Sequence, residues 1–132
     1  MTQQVHTFLM FEGKAEEAMN FYVSLFEDGA VTRIDRYGPN AIGKEGSVEQ
    51  AAFTLAGQHF MCIDSPVTHS FTFTPSISIF VTCDSEAEID ALFAALSDGG
   101  GVLMPLGEYP FSPKFAWLSD RYGVSWQLML KG

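Results

Sequence analysis

The sequence predicts an α+β fold of two βαβββ modules whose mixed sheets form a cup, and three observations predict it. Apolar residues recur at helical spacing twice, at Met19, Tyr22, Val23 and Phe26 and again at Ile89, Leu92, Phe93 and Leu96, a displacement of 70 positions. One strand-like apolar run precedes each helical stripe, and three follow it. Within each set of three, a glycine turn separates the last two runs, at Gly57 and at Gly123.

Taken in order, residues 5–11 form the first strand and residues 14–27 the first helix, which Asp28-Gly29 ends. Strands at 30–37, 48–55 and 59–63 complete a first module spanning about residues 5–64. A bridge at 65–75 leads to a strand at 76–82 and a helix at 85–97. Asp84-Ser85 opens that helix with Glu88 placed for a capping box, and Gly99-Gly100-Gly101 stops it. Strands at 102–106, 115–119 and 125–130 close a second module of about residues 76–130, all within a single domain of 132 residues.

Correspondence between the modules assigns faces to side chains. The helix displacement carries His6 onto Ser76 and Phe8 onto Ser78, while the last strands correspond at 66, pairing Phe60 with Trp126 and Met61 with Gln127. The change implies a longer loop in the first module, which residues 39–46 supply. Side chains alternate along a strand, so Ile77, Ile79 and Val81 face the helix and Ser76, Ser78 and Phe80 face the cup. By the same parity His6, Phe8, Met10, His59, Met61, Ile63, Ser125, Gln127 and Met129 face inward.

Composition narrows the partners. Seven Lys plus Arg against sixteen Asp plus Glu give a net charge of −9, which repels nucleic acid backbones and anionic membranes. No stretch reads as a secretory leader or a membrane span, so the expectation is a soluble cytoplasmic protein. Cys62 and Cys83 lie in apolar strands and read as buried thiols. Glu16-Glu17 and the acidic positions 86–90 read as solvated helix faces, and Ser65 and Ser112 lack a visible nucleophile elbow or His-acid pairing.

Three stretches carry a family resemblance: Phe11-Glu12-Gly13-Lys14-Ala15-Glu16-Glu17-Ala18-Met19-Asn20-Phe21-Tyr22, then Phe71-Thr72-Phe73-Thr74-Pro75-Ser76-Ile77-Ser78, and Trp117-Leu118-Ser119-Asp120-Arg121-Tyr122-Gly123-Val124-Ser125-Trp126-Gln127. Together, over about residues 6–130, they resemble the PhnB-like branch of the vicinal-oxygen-chelate superfamily. The resemblance implies the paired βαβββ fold of glyoxalases, ring-cleaving dioxygenases and bleomycin-resistance proteins, often dimeric. Members of the branch often bear the name 3-demethylubiquinone methyltransferase. Methyl transfer from S-adenosylmethionine is ordinarily served by a doubly wound domain with a glycine-rich loop between strand and helix, and neither pattern is present here.

Catalytic members of the superfamily hold a divalent metal through His, Glu or Gln from equivalent strands. Carried over residue by residue, the resemblance offers His6 and Gln127, with Ser76 and Met61 as their repeat partners, and only the first two suit a hard cation. His59 and His69 lie near the cup without ligand spacing. The expectation is therefore a homodimeric small-molecule-binding protein with no tightly bound metal and no other cofactor. Its inner surface carries His6, Phe8, His59, Met61, Ser76, Ser78 and Gln127, and the apolar segment Tyr109-Pro110-Phe111-Ser112-Pro113 with Phe111 and Trp117 supplies a wall. The alternatives are a metal-dependent lyase, isomerase or dioxygenase in the same cup, and a module whose dimer surface is its function.

Overall fold

The computed structural model describes residues 2–132, so Met1, where the search for a leader begins, lies outside the described residues. The first module runs β1(Thr7–Phe11), α1(Ala15–Ser24), β2(Ala30–Arg36), β3(Val48–Leu55) and β4(Gln58–Asp64). Its sheet has the order β1-β4-β3-β2, with β1 parallel to β4 and the other pairs antiparallel. The second module repeats this as β5(Ile79–Cys83), α2(Glu86–Ser97), β6(Gly101–Tyr109), β7(Ser112–Ser119) and β8(Ser125–Leu130) in the order β5-β8-β7-β6. The chain divides into two compact units between His69 and Ser70. No helix among the described residues is long and apolar enough to cross a membrane.

Each helix covers one face of its own sheet because apolar residues line that face in both elements. Ala18, Met19 and Tyr22 of α1 are buried together with Leu9, Phe11, Phe53, Phe60 and Cys62. In the second module Ile89, Leu92 and Leu96 are buried with Ala116, Leu118, Trp126 and Leu128. Each large side chain taken fully out of water contributes roughly 1.5–3 kcal/mol. Trp126, the largest of them, is fixed through its indole Nε1–H, which donates to Asp120 Oδ2 at 2.8 Å.

Caps decide where the helices begin and end. Ser85 accepts from Glu88 N at 3.2 Å while Glu88 Oε1 accepts from Asp84 N, a reciprocal arrangement like the expected box. Lys14 gives α1 no side-chain cap. Buried Asp64, from the end of β4, takes over: its Oδ1 accepts from Gly13 N at 2.8 Å and Ala15 N at 2.9 Å, and its Oδ2 from Val48 N at 3.0 Å. The first helix is shorter than its apolar spacing suggests, ending at Ser24, so that half-buried Phe26 lies beyond it. Gly29 follows because a Cβ there would stand 2.2 Å from the Val23 carbonyl oxygen.

Strand pairing corrects the repeat correspondence. Thr7 lies opposite Phe60 and Ile79 opposite Trp126, so with the last strands displaced by 66 the first strands correspond at 72 and not 70. The partner of His6 is therefore Ser78 instead of Ser76, and that of Phe8 is Phe80 instead of Ser78. A shorter passage from strand to helix in the second module, two residues (84–85) against three (12–14), accounts for one of the two positions by which 72 exceeds 70. Both displacements are even, so the faces of the side chains within the strands are unaltered; Ile77 and Ser76, expected in the strand, lie ahead of β5 and are exposed.

A second correction concerns residues 109–113. Instead of a loop they form a tight hairpin, with Tyr109 paired to Ser112 across Pro110-Phe111, so β6 and β7 run further than expected.

Candidate functional site

With one face of each sheet covered by its helix, the other face carries the side chains of opposite parity. In the first module these include Phe8 and Met10 of β1 and His59, Met61 and Ile63 of β4. Phe8 stands beside Met61 in the parallel pair, and His6 precedes the strand. The rings of His6 and His59 lie 5.5 Å apart, tilted by 59°. Phe8 is 54% exposed, unusual for a phenylalanine in the middle of a strand.

The second module places a polar network at the matching positions. Ser78 Oγ and Ser125 Oγ are 2.7 Å apart, Trp117 Nε1–H donates to Ser125 Oγ at 2.9 Å, and Gln127 Nε2 donates to Ser78 Oγ at 3.3 Å. Strand register brings the four together. Phe80, Gln127, Trp117 and Met104 form one row across β5, β8, β7 and β6, while Ser125 lies two residues before Gln127 on the same face. Apolar surface borders the network, since Phe80 is 52% exposed.

The candidates of the sequence thus fall into groups. Ser78, Trp117 and Gln127 are joined by hydrogen bonds, while His6 meets His59 and Phe8 meets Met61. Ser76 stands apart: it is exposed ahead of β5, and its hydroxyl bonds to Thr74 Oγ1 at 2.8 Å. Phe111 belongs to an aromatic cluster at the β6–β7 turn. Its ring meets Phe115 edge-on at 4.8 Å and stacks on Tyr109 at 5.7 Å, while the Tyr109 hydroxyl donates to Pro105 O at 2.7 Å.

Ser125 is the residue that sequence reasoning missed. Parity put it on the correct face, but small buried serines carry no signal of their own until the indole and hydroxyl that reach them are known. A second contact also escaped, because Ser65 Oγ lies 2.8 Å from His69 Nε2. Val67 N donates to the same Ser65 oxygen, and His69 N donates to Glu12 Oε2 at 3.2 Å. These bonds fold the chain after β4 into a turn.

Neither thiol suits nucleophilic chemistry. Burial, with the nearby Asp64 carboxylate second, pushes the Cys62 thiol up to about 12, and burial with surrounding acidic groups pushes Cys83 to about 11. Both are buried and free. The glycine run at 99–101 leads out of α2 into β6, and a Cβ at Gly100 would stand 2.1 Å from Ser119 O. It is a packed turn behind a helix, which does not fit the phosphate- or cofactor-cradling loop that precedes one.

Comparison with known proteins places this geometry in a family. The model of the family described as 3-demethylubiquinone-9 3-methyltransferase matches residues 3–129. No curated protein matches the chain. Among solved structures, a PhnB protein from Bacillus cereus is 63% identical with a TM-score of 0.95, covering 98% of this chain and 100% of that one. Protein PA1353 from Pseudomonas aeruginosa is 28% identical with a TM-score of 0.86, covering 98% of each. A glyoxylase/bleomycin resistance protein/dioxygenase domain from Frankia sp. EAN1pec, 15% identical over 100% of this chain and 99% of that one with a TM-score of 0.67, shares the fold.

Proposed function

The chain belongs to the PhnB-like family described as 3-demethylubiquinone-9 3-methyltransferase, and we propose that within it this protein binds a small, partly apolar molecule without a tightly bound metal. One observation carries the reading. On the open face of the second module's sheet a hydrogen-bonded cluster of Ser78, Ser125, Trp117 and Gln127 sits beside exposed Phe80. A few convergent polar groups bordered by aromatic surface orient a neutral molecule while apolar contact supplies most of its affinity.

The donor chemistry supports the metal-free part. A divalent metal is what the fold's catalytic relatives use, and in each module a position that matches its ligands carries a residue of another kind. In the second module Ser78 replaces an imidazole and is already engaged by Gln127 and Ser125; in the first, Met61 offers a soft thioether. Among the described residues no three His, Cys, Asp or Glu side chains gather where they would hold a metal ion. These residues fit a hard cation poorly.

The family description speaks of methyl transfer, and the glycine run offers S-adenosylmethionine no cradle, so binding is the activity proposed. The same reading takes the protein as a cytoplasmic homodimer that engages neither nucleic acid nor membrane. A net charge of −9 supports the exclusion of nucleic acid and membrane, and the exposed Val102 and Leu103 of edge strand β6 support self-association.

The test is a panel of small aromatic and amphiphilic compounds read by thermal shift on the wild type and on Gln127→Leu. A ligand at 100 times its dissociation constant adds about 2.7 kcal/mol of stability. Hits on the wild type should weaken about two- to tenfold in the variant, the worth of one hydrogen bond. Hits that bind both proteins equally would move the site elsewhere.

A further inference from the structure

We infer that the open face of the second module selects neutral ligands that present an oxygen acceptor and an N–H donor side by side, as an amide does; the inference rests on the proposed reading of that face as the binding site. Ser125 is 1% exposed, and its Oγ already accepts the indole N–H of Trp117 at 2.9 Å. A buried hydroxyl hydrogen requires an acceptor, and Ser78 Oγ at 2.7 Å is the one in reach. Ser125 therefore donates to Ser78.

Ser78 Oγ also accepts from Gln127 Nε2 at 3.3 Å, which fills both of its lone pairs. Its own hydrogen has no acceptor left inside the network and turns toward the open face, where Ser78 is half-buried. Successive donation from Trp117 through Ser125 to Ser78 polarises that last hydroxyl and makes it a stronger donor. Beside it, Gln127 Oε1 has no partner among the described residues. The face thus offers one polarised O–H and one free amide oxygen, with Phe80 and Trp117 paired to Gln127 on either side.

A primary or secondary amide answers both groups at once, its carbonyl accepting from Ser78 and its N–H donating to Gln127 Oε1. A carboxylate, a ketone or a dialkyl amide supplies the acceptor but leaves Gln127 Oε1 without a hydrogen. Aromatic flanks favour a planar group attached to a ring.

The experiment titrates isotope-labelled protein with benzamide, N,N-dimethylbenzamide, acetophenone and benzoate, following the indole N–H of Trp117 with that of buried Trp126 as the internal reference. Benzamide should move the Trp117 signal with an affinity about two- to tenfold above each of the other three. Gln127→Met should level the four while the spectrum stays dispersed, and Ser78→Ala should weaken all four, since each presents an acceptor to that hydroxyl, while benzamide keeps its preference through Gln127 Oε1. If benzoate or N,N-dimethylbenzamide moves Trp117 as tightly as benzamide does, the inference is overturned and the binding face stands. If no probe moves Trp117 at all, both fall.

Discussion

Ser78 and Ser125 lie hydroxyl to hydroxyl at 2.7 Å, in the places that His6 and His59 occupy in the first module. One fold thus carries two chemistries at equivalent positions, an imidazole pair in one sheet and a hydroxyl pair in the other. The hydroxyl pair is the better organised, because Trp117 and Gln127 hold it from both sides. That asymmetry is why the second sheet is read as the part that orients a ligand.

Asp120 should prove the most sensitive polar position in the second module. Its carboxylate accepts from Tyr122 N at 2.8 Å, Val124 N at 3.1 Å and the Trp126 indole, all around one turn. Asp120→Ala leaves those donors without acceptors and should cost about 2–4 kcal/mol in urea denaturation. A loss below about 0.5 kcal/mol would show that water replaces the carboxylate freely.

Ala56 should yield stability when replaced. It takes φ 49° and Gly57 takes φ 81° in the turn joining β3 to β4, a pair of left-handed residues for which Asn-Gly is the favoured sequence. An alanine there carries a steric cost of roughly 1–2 kcal/mol. Ala56→Asn keeps the N–H that donates to Asp28 Oδ1 and should stabilise the fold by about 0.5–1 kcal/mol. An unchanged or lowered midpoint would contradict the strain.

Stability should decline as pH rises above 9. The folded thiols stand at about 12 for Cys62 and about 11 for Cys83, above the value of 9.0 for an ordinary thiol, because burial disfavours the thiolate. The fold thus holds protons that the unfolded chain releases. The contribution is intact below pH 9 and is lost progressively between 9 and about 12. Comparing the wild type with the double variant Cys62→Ala, Cys83→Ala isolates it, since tyrosines and lysines titrate in both. Parallel pH profiles would refute the assignment.

Self-association is expected from exposed apolar residues away from the binding face, with Val102 and Leu103 of edge strand β6 foremost. Sedimentation at tens of micromolar should give twice the chain mass of 14.5 kDa. A monomer at that concentration would remove the dimer from the account.

Much of this was legible in the sequence because two periods suffice to read it. Met19 and Tyr22 against Ile89 and Leu92 identified the helices, and alternation put Ser78 and Gln127 on one face, while Trp117 was expected only as part of an aromatic wall. The register of β5 was not legible. Helix spacing measures the displacement between helices, and the connection at 84–85 absorbs residues that no apolar pattern records. Parity survived only because the error was even. Ser125 and the Ser65–His69 contact were hidden for a different reason: each depends on which backbone passes close by, and that is settled by the strand pairing and turn geometry around it.

The proposal turns on whether the protein works without a resident metal, so the direct measurement is the divalent metal content of protein purified without chelator. Content far below one ion per chain is expected, with ligand binding unaffected by added chelator. Near-stoichiometric Zn, Ni, Mn or Fe, lost on Gln127→Leu, would contradict it and make a metal-dependent enzyme the better description.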